Sequence, residues 1–306
     1  MINQWEYMEA GMEIRNLITF VQVAELGSFT RAAKVLDYSQ STVSFQIKQL
    51  ETELDCLLFE RINHTLNLTQ KGRELLSYAQ KVLHLTDEFH ESLSETGQVK
   101  GEVHIVTPDS VCEMMLLSHY ADFHRRYPQI RLTFSTANTE EMLRMVSKNE
   151  ADVMMTLDSH VYRSELEIAK EERMSVHFVT SAASSLNGKR LTFQDIAEEP
   201  FILTEKSMGY RRVLEEHLAK MNHDIQPVLE VGRTDVITRL LEKGSAISFL
   251  PDFVTRDAVK KGKLCYLDVQ DVQLDIWQQL IFHRSKWRSR TLNVFLKYVM
   301  ENEFSR

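Results

Sequence analysis

Hydroxyl, amide and basic side chains recur at helical spacing between residues 28 and 48. At the leading end of a helix in the major groove of DNA, such groups can hydrogen-bond base edges and phosphates. An outward phenylalanine can contact a thymine methyl group. Gln40 stands at such a leading end and is the best candidate for a base contact. The candidate DNA-contacting residues are Ser28, Thr30, Arg31, Ser39, Gln40, Ser41, Thr42, Ser44, Phe45, Lys48, Arg61 and Asn63.

Two short helices joined by a tight turn would position these side chains. Ser28 and Ser39 are of a residue type that caps helices, and Asp37 and Tyr38 suit the turn. The pattern predicts a helix-turn-helix, whose second helix enters the major groove. The alternative is an ordinary helical hairpin with a solvated polar face. The apolar stripes of the two helices are Phe29, Ala32, Ala33 and Leu36, then Val43, Ile47, Leu50 and Leu54.

A second group of polar residues follows the strands predicted beyond residue 101. Strands and helices alternate there, which predicts a parallel sheet with right-handed crossovers. Loops at the carboxyl ends of such strands meet helix N-termini at a crevice that suits a ligand. The candidate cleft residues are Thr107, Pro108, Asp109, Ser110, Thr136, Asn138, Thr204, Arg233, Thr234 and Pro251.

Each cleft candidate also has a structural interpretation, and the chemistry of the ligand stays open. Asp109 or Ser110 can cap a helix, Thr204 can end a strand, and Arg233 can pair with Asp235. Arg233 and the hydroxyls suit an anionic metabolite such as a carboxylate. Asp109 at a helix start would oppose an anion and favour an amine or an amino acid.

We predict two α/β lobes in this part of the chain, after a glycine-flanked hinge at residues 97–101. The first lobe comprises residues 102–162 and 264–306, and the second comprises residues 163–263. Predicted strands cover residues 103–107, 130–135, 151–157, 175–181, 201–204, 245–250 and 274–282. Predicted helices cover residues 114–127, 139–148, 210–221, 234–243 and 290–303.

A long helical pattern runs from Thr69 to about residue 95, and residues 71–96 are predicted to form a linker and dimerisation helix. A stripe this wide exceeds what a surface helix of one small domain needs, which predicts packing against a second copy. The alternative is a helix packed wholly within one chain. One stripe is Leu75, Tyr78, Val82, Leu85 and Phe89, and the adjoining one is Leu76, Ala79, Leu83 and Leu93.

Taken together, residues 17–72 resemble the N-terminal domain of LysR-type transcriptional regulators. The resemblance implies a winged helix-turn-helix at residues 12–70 with its wing at residues 58–68, followed by a linker helix that pairs two subunits. The chain departs from the family pattern at Ser41, usually proline, at Asp55, usually glycine, and at the wing tip 63–65, usually arginine-rich. The matching residues are Leu17-Ile-Thr-Phe20, Gly27-Ser-Phe-Thr-Arg-Ala-Ala33, Leu36, Ser39-Gln40, Val43-Ser44, Gln46-Ile47, Leu50-Glu51, Leu54, Leu58-Phe59, Arg61 and Leu68-Thr-Gln-Lys-Gly72.

The C-terminal part resembles the same family more loosely, and the whole implies an α+β multidomain protein. The resemblance implies a two-lobed effector domain similar to periplasmic binding proteins, with a small-molecule co-inducer in the cleft and no cofactor. The implied partners are double-stranded promoter DNA of dyad symmetry, further copies of the chain in a homodimer or homotetramer, and RNA polymerase as a candidate. The matching segments are Phe123…Tyr127-Pro128, Asn149-Glu-Ala-Asp152 and Gly244-Ser-Ala-Ile-Ser-Phe-Leu-Pro251.

The charge balance limits nonspecific attraction to DNA. The chain has a formal net charge of -8, and the acidic and basic side chains of residues 12–73 balance. Electrostatic attraction to phosphate therefore cannot dominate. Helix N-termini, polar side chains and paired half-sites must contribute, so binding should need a dimer and weaken with salt.

The sequence holds no catalytic or metal-binding signature, so we expect a regulator and not an enzyme. It lacks Gly-x-Gly-x-x-Gly, a phosphate loop, His-Glu-x-x-His and Cys-x-x-Cys. Cys56, Cys112 and Cys265 form no close pair, which fits a reducing cytoplasm. Because we find no stretch of transmembrane length and no secretion signal, we expect a cytoplasmic protein without membrane contact.

Residues 1–11 are expected to be an N-terminal extension, because the family pattern begins at Met12. The hypothesis that Met12 or Met8 is the physiological start can be tested by mass spectrometry of the native N-terminus. A peptide containing Trp5 would contradict it.

Overall fold

The structure is a computed structural model that describes residues 12–62, 65–92, 99–244 and 246–304. It divides into two compact units, one of residues 1–99 with 284–294 and one of residues 100–283 with 295–306. Some predictions lie outside the described residues. They are the N-terminal extension 1–11, the DNA contact at Asn63, the apolar contact at Leu93 and residues 97–98 of the hinge.

Three helices, a two-stranded wing and a long helix make up the first unit. The Ser28 side chain accepts a hydrogen bond from the Arg31 amide (3.3 Å) and that of Ser39 from the Thr42 amide (3.1 Å), so both predicted caps are confirmed. Asp37 makes the turn between them at φ +54°. The elements are α1 Ile14–Leu26, α2 Phe29–Val35, α3 Gln40–Glu53, β1 Phe59–Ile62, β2 Thr65–Leu68 and α4 Gln70–Ser92, with β1 and β2 antiparallel.

The core of the first unit lies between α1, α3, the wing and α4. Phe20, Leu50 and Leu58 are fully buried, and Leu76 of α4 joins them. Helix α4 can start close to the wing because Gly72 has no side chain. A Cβ at Gly72 would lie 2.2 Å from the Leu58 carbonyl oxygen.

Residues 284–294 also belong to the first unit. Trp287 packs against the core, and its backbone amide donates to the Glu25 carboxylate over 2.6 Å. The Gln80 amide donates to the Ser285 carbonyl oxygen over 2.8 Å. The prediction that residues 264–306 return together to the first lobe is therefore wrong for this segment. The apolar surface that Trp287 covers is assembled only in the folded unit.

Two sheets organise the second unit. The first has five strands in the order β4-β3-β5-β14-β6, namely β3 Gly101–Thr107, β4 Ile130–Thr136, β5 Val153–Asp158, β6 Leu166–Arg173 and β14 Trp277–His283. Its strands β3, β4 and β5 are parallel as predicted, whereas β14 is antiparallel to both neighbours. The second sheet is antiparallel in the order β11-β7-β12, namely β7 Val176–Ser181, β11 Ser248–Pro251 and β12 Leu264–Tyr266.

Helices and two short parallel strand pairs complete the unit. The pairs are β8 Arg190–Leu191 with β13 Asp268–Val269, and β9 Ile202–Leu203 with β10 Leu229–Glu230. The helices are α5 Asp109–Arg126, α6 Thr139–Ser147, α7 Gly209–Lys220, α8 Thr234–Leu241, α9 Asp252–Lys260 and α10 Arg290–Asn302.

The structure corrects several predicted elements. Helix α5 begins at Asp109 and not at residue 114, because an acidic residue suits the first turn and Pro108 is tolerated before it. Strand β6 and helix α9 were not predicted. Strand β6 lies at an edge of the sheet, and its charged residues hide the alternation. The sheets divide the chain near residues 173 and 277 and not at 163 and 264, since β6 pairs in the first sheet and β12 in the second.

Within the described residues, no helix is long and apolar enough to cross a membrane. In the same part of the chain, no group of three or more His, Cys, Asp or Glu side chains is placed to hold a metal ion. Cys56, Cys112 and Cys265 are free thiols.

Candidate functional site

Helix α3 has one buried face and one polar outward face. Val43 and Ile47 are buried, whereas Gln40 and Lys48 are exposed. Phe45 lies on the outward face with 67% of its surface exposed, where its ring is available to a thymine methyl group. The arrangement suits a helix that lies in the major groove.

Hydroxyls gather at the start of α3. The Ser39 Oγ lies 2.7 Å from the Ser41 Oγ and 2.8 Å from the Thr42 Oγ1, and the Gln40 amide donates to the Ser44 Oγ over 3.5 Å. A helix N-terminus carries partial positive charge, which favours a phosphate there. The geometry therefore offers hydroxyl and amide groups together with a favourable field.

The remaining residues predicted to contact DNA differ in their exposure and in their contacts within the protein. Thr30 and Arg61 are exposed, whereas Ser28 is half-buried and caps α2. The Arg31 guanidinium donates to the Leu26 carbonyl oxygen at the end of α1. Arg31 therefore has a structural contact in addition to any role at DNA, since a cation is favourable at a helix C-terminus.

Buried polar contacts hold α3 and the wing, and the sequence analysis did not predict them. The Thr19 hydroxyl donates to the Gln46 Oε1 over 2.7 Å, which ties α1 to α3 inside the core. The Glu51 Oε1 accepts from the backbone amides of Leu58 (2.7 Å) and Phe59 (3.3 Å), which fixes the chain as it enters the wing. A polar residue at a buried position of the helical period was the available signal.

The two predicted stripes of α4 have different surroundings. Leu76 and its neighbours Ala79 and Leu83 are buried in the core of the first unit. Tyr78 and Leu85, however, are 66% and 63% exposed, and Val82 between them is also exposed. We call Tyr78, Val82 and Leu85 the α4 outer stripe. The side chain of Phe89 lies outside the described residues.

Three helices of the second unit begin at one narrow cavity. They are α5 at Asp109, α7 at Gly209 and α8 at Thr234. We call this cavity the three-helix pocket. Its lining residues are Pro108, Asp109, Ser110, Thr204, Met208, Gly209, Tyr210, Gly232 and Thr234.

Half of the predicted cleft residues line this pocket, namely Pro108, Asp109, Ser110, Thr204 and Thr234. The other half lie elsewhere in the second unit. Thr107 donates to the Met155 carbonyl oxygen (3.0 Å), and Asn138 caps α6 by accepting from the Glu141 amide (3.0 Å). Thr136 is exposed at a strand end, and Pro251 precedes α9.

Arg233 does not line the three-helix pocket. Its guanidinium donates two hydrogen bonds to the Asp235 carboxylate, at 2.9 and 3.0 Å, and is largely exposed. The pairing that the sequence offered as an alternative is therefore the one observed. Because the pocket holds no Arg233 contact, that guanidinium is not its anion anchor in this structure.

Sequence reasoning missed four residues of the pocket, Met208, Gly209, Tyr210 and Gly232. Burial raises the pKa of the Tyr210 phenol, the Thr204 hydroxyl partly offsets that rise, and the nearby Asp109 carboxylate adds a smaller one. The phenol therefore stays protonated and able to donate. A glycine at the start of a helix was the signal for Gly209, whose Cβ would lie 2.3 Å from the Leu157 carbonyl oxygen.

A buried carboxylate fixes the start of α7 at the pocket. Asp158, at the end of β5, is fully buried and accepts from the Thr139 hydroxyl, the Ser159 amide and the Arg212 guanidinium, each at 2.6 Å. The contact joins β5, α6 and α7. It is a structural support of the pocket, because buried charges need partners.

Two family models match the chain in succession. Residues 14–73 match the model described as bacterial regulatory helix-turn-helix protein, lysR family, and residues 96–303 match the model described as LysR substrate binding domain. This chain belongs to the LysR family. It is a LysR-type transcriptional regulator with a DNA-binding helix-turn-helix domain and an effector-binding domain, and the predicted fold class is confirmed.

Relatives of this LysR-type regulator span nearly its whole length. YwqM of Bacillus subtilis, named an uncharacterized HTH-type transcriptional regulator, is 30% identical over 93% of this chain and 97% of its own. The HTH-type transcriptional regulator CzcR of Bacillus cereus is 27% identical over 95% and 98%. Among solved structures, CrgA of Neisseria meningitidis, a LysR-type transcriptional regulator, has a TM-score of 0.56 at 23% identity, covering 94% and 97%. A full-length OxyR of Pseudomonas aeruginosa has a TM-score of 0.56 at 19% identity, covering 94% of each chain.

Proposed function

We propose that this regulator binds dyad-symmetric promoter DNA as an oligomer and reads bases with the start of α3. The observation that carries the proposal is the outward face of that helix, with exposed Gln40 and Lys48 beside a cluster of hydroxyls. The inner face of α3 packs into the core of the first unit, which fixes the position of the helix. The local charge balance means that these specific contacts, and not bulk attraction, must supply much of the affinity.

A gel shift on the DNA immediately upstream of the gene, against scrambled DNA at rising salt, tests this proposal. Gln40→Ala should weaken specific binding by about 1 to 3 kcal/mol while the salt dependence changes little. Gln226→Ala is the matched control, because Gln226 is an exposed glutamine of the second unit. An equal loss on cognate and scrambled DNA would mean that Gln40 only positions the protein.

We propose that two copies pair through the α4 outer stripe. Tyr78, Val82 and Leu85 recur at steps of four and three, so they form one continuous apolar face on a helix whose opposite stripe is already buried. Leu85→Glu should therefore shift sedimentation velocity toward the monomer. Ser77→Glu places the same charge on an exposed position away from the stripe and should leave the dimer intact. Equal dissociation by both variants would contradict the interface.

We propose that dimers associate further into a tetramer through α5 and α8 of the effector-binding domain. Leu116, Leu117 and Tyr120 of α5 and Val236 and Leu240 of α8 are exposed apolar side chains. Leu117→Glu should reduce the mass measured by light scattering from four chains to two and leave the α4 pairing unchanged. A variant that keeps the mass of four chains, or a wild-type mass of two, would refute this interface.

We propose that a small-molecule effector binds the three-helix pocket and changes DNA binding. The buried hydroxyls of Thr204 and Thr234 line this pocket. Among the described residues Thr234 lacks a hydrogen-bond partner, and Thr204 interacts with the Tyr210 phenol. A ligand that hydrogen-bonds to these hydroxyls in one lobe arrangement would shift the conformational equilibrium.

Gel shifts with fractions of a metabolite extract test the effector proposal. Thr204→Val with Thr234→Val should raise the extract needed for half response at least tenfold. Thr133→Val, an exposed strand residue, is the matched control. An unchanged dose response in the double variant would remove the pocket from the effector site.

A further inference from the structure

The three helices at the pocket start without a side-chain cap, as α1 and α9 also do. Helices α2, α3 and α6 are capped by the side chains of Ser28, Ser39 and Asn138. The residues that precede α5, α7 and α8 make no side-chain cap hydrogen bond. The first amides of a helix need partners, and the helix dipole places partial positive charge at them. Three such ends at one cavity create a site for an anionic group.

The buried hydroxyl of Thr234 gives an independent sign that a ligand is needed. Thr204 and Thr234 line the pocket, and each is only 2% exposed. Among the described residues the Thr234 hydroxyl has no hydrogen-bond partner, whereas the Thr204 hydroxyl lies close enough to the Tyr210 phenol to interact with it and lower the pKa of that phenol. Buried hydroxyls in proteins are nearly always hydrogen-bonded, so Thr234 calls for an outside partner. The protonated Tyr210 phenol adds a donor that suits a carboxylate.

The charged side chains at the pocket have only one sign. Of the described residues that line it, Asp109 alone carries a charge. The nearby guanidinium of Arg233 is engaged by Asp235 in two parallel hydrogen bonds. The helix N-termini would therefore attract a purely anionic ligand, but the Asp109 carboxylate would repel it without a neutralising cation nearby. The Asp109 carboxylate would attract a purely cationic ligand, but the three helix N-termini would repel it.

A ligand with both signs satisfies both features. We infer that the effector is a small α-amino acid, with its carboxylate at the starts of α5, α7 and α8 and its ammonium group on Asp109. The space that a water-sized molecule can reach in the pocket is only about 10 Å³, so the effector must be small and the lining must move to admit it. Met208 and Pro108 offer its side chain apolar contacts. This inference rests on the proposed effector function of the pocket.

Isothermal titration of the full-length protein with single amino acids is the first test. The probes are L-amino acids with side chains of up to about four carbons. Each binder is compared with its carboxylic acid without the amine and its amine without the carboxylate. We expect at least one amino acid to bind, and both of its analogues to bind at least tenfold more weakly. A carboxylic acid that binds as tightly as its amino acid would overturn the inference.

Variants locate the two ends of the ligand. Asp109→Asn should weaken amino-acid binding at least tenfold but leave the carboxylic acid unchanged or tighter. Thr234→Val should weaken the amino acid and the carboxylic acid alike. Asp257→Asn, which removes an exposed carboxylate on α9, should change neither. Unaltered amino-acid binding by Asp109→Asn would refute the ammonium contact.

The outcomes separate this inference from the proposed function. If no amino acid in the panel binds, the zwitterionic class is wrong. The gel shift with metabolite extract still reports whether any effector acts through the pocket, because that assay does not depend on the class of ligand.

Discussion

The buried hydrogen bond between Thr19 and Gln46 allows a prediction of both sign and size. The Thr19 hydroxyl donates to the Gln46 Oε1 over 2.7 Å, and both residues are buried. Thr19→Val keeps the shape of the side chain but leaves that oxygen without its donor, which should cost about 1 to 3 kcal/mol. Thr19→Val combined with Gln46→Leu removes both partners, so the double variant should be close to wild type. The single variant is thus expected to be less stable than the double.

Hydrogen exchange of α3 peptides in the full-length protein is the suitable assay, because two units need not unfold together and a global midpoint would mix them. The expected loss corresponds to exchange about 5 to 150 times faster in Thr19→Val, with a return toward the wild-type rate in the double variant. Gel shifts should follow the same order. A double variant that exchanges as fast as the single, or faster, would refute the account of this bond.

Three further perturbations test other parts of the fold. Gly72→Ala should lower the melting temperature of the first unit despite a gain of about 1 kcal/mol in helix propensity, because its Cβ would lie 2.2 Å from Leu58 O. Gly244→Ala should not lower the melting temperature, because its Cβ would lie at an ordinary 3.6 Å from the Leu240 carbonyl oxygen. An equal change of melting temperature in both variants would contradict the steric argument. Burial lowers the pKa of His177 against the attraction of Asp252, so the unfolded chain binds a proton more readily. The resulting stability is present above pH 6.5 and lost below it, so His177→Gln should flatten the fall in melting temperature between pH 7 and 5.5. A parallel fall in both proteins would exclude that role. Burial, with Asp109 and Glu113, raises the pKa of the Cys112 thiol, so iodoacetamide at pH 8 should alkylate it more slowly than glutathione. Mass spectrometry that shows equal rates would contradict this.

The helix-turn-helix could be predicted because its signals are local. Ser28 and Ser39 each cap a helix by accepting a hydrogen bond from an amide three residues away. The residues that define each helix start therefore lie within one helical turn of each other. The turn at Asp37 lies between them. Periodicity also separated the two stripes of α4, although only the folded unit shows that Leu76 is buried and Tyr78 is exposed.

The effector-binding domain was less predictable because its site is assembled from distant segments. The pocket brings Asp109, Thr204 and Thr234 together, and no local pattern relates their positions. Arg233 misled the sequence reasoning, since its nearest partner is two residues away and not in the cleft. Strand β6 escaped because an edge strand needs few apolar residues. Gly232 has no side chain and does not begin a helix, so its residue type alone could not mark it as part of a site.

The membership of residues 284–294 in the first unit bears on how chimeric sensors could be built from this regulator. A graft of residues 12–99 onto a foreign sensing domain would leave behind Trp287, which covers part of the N-terminal core, and the amide that Glu25 accepts from. The exposed patch would invite aggregation. A transplant with a better prospect would carry two pieces of chain, the N-terminal segment and the short stretch around Trp287. The recipient domain would therefore need two attachment points, one for each segment, spaced so that the two segments can pack together.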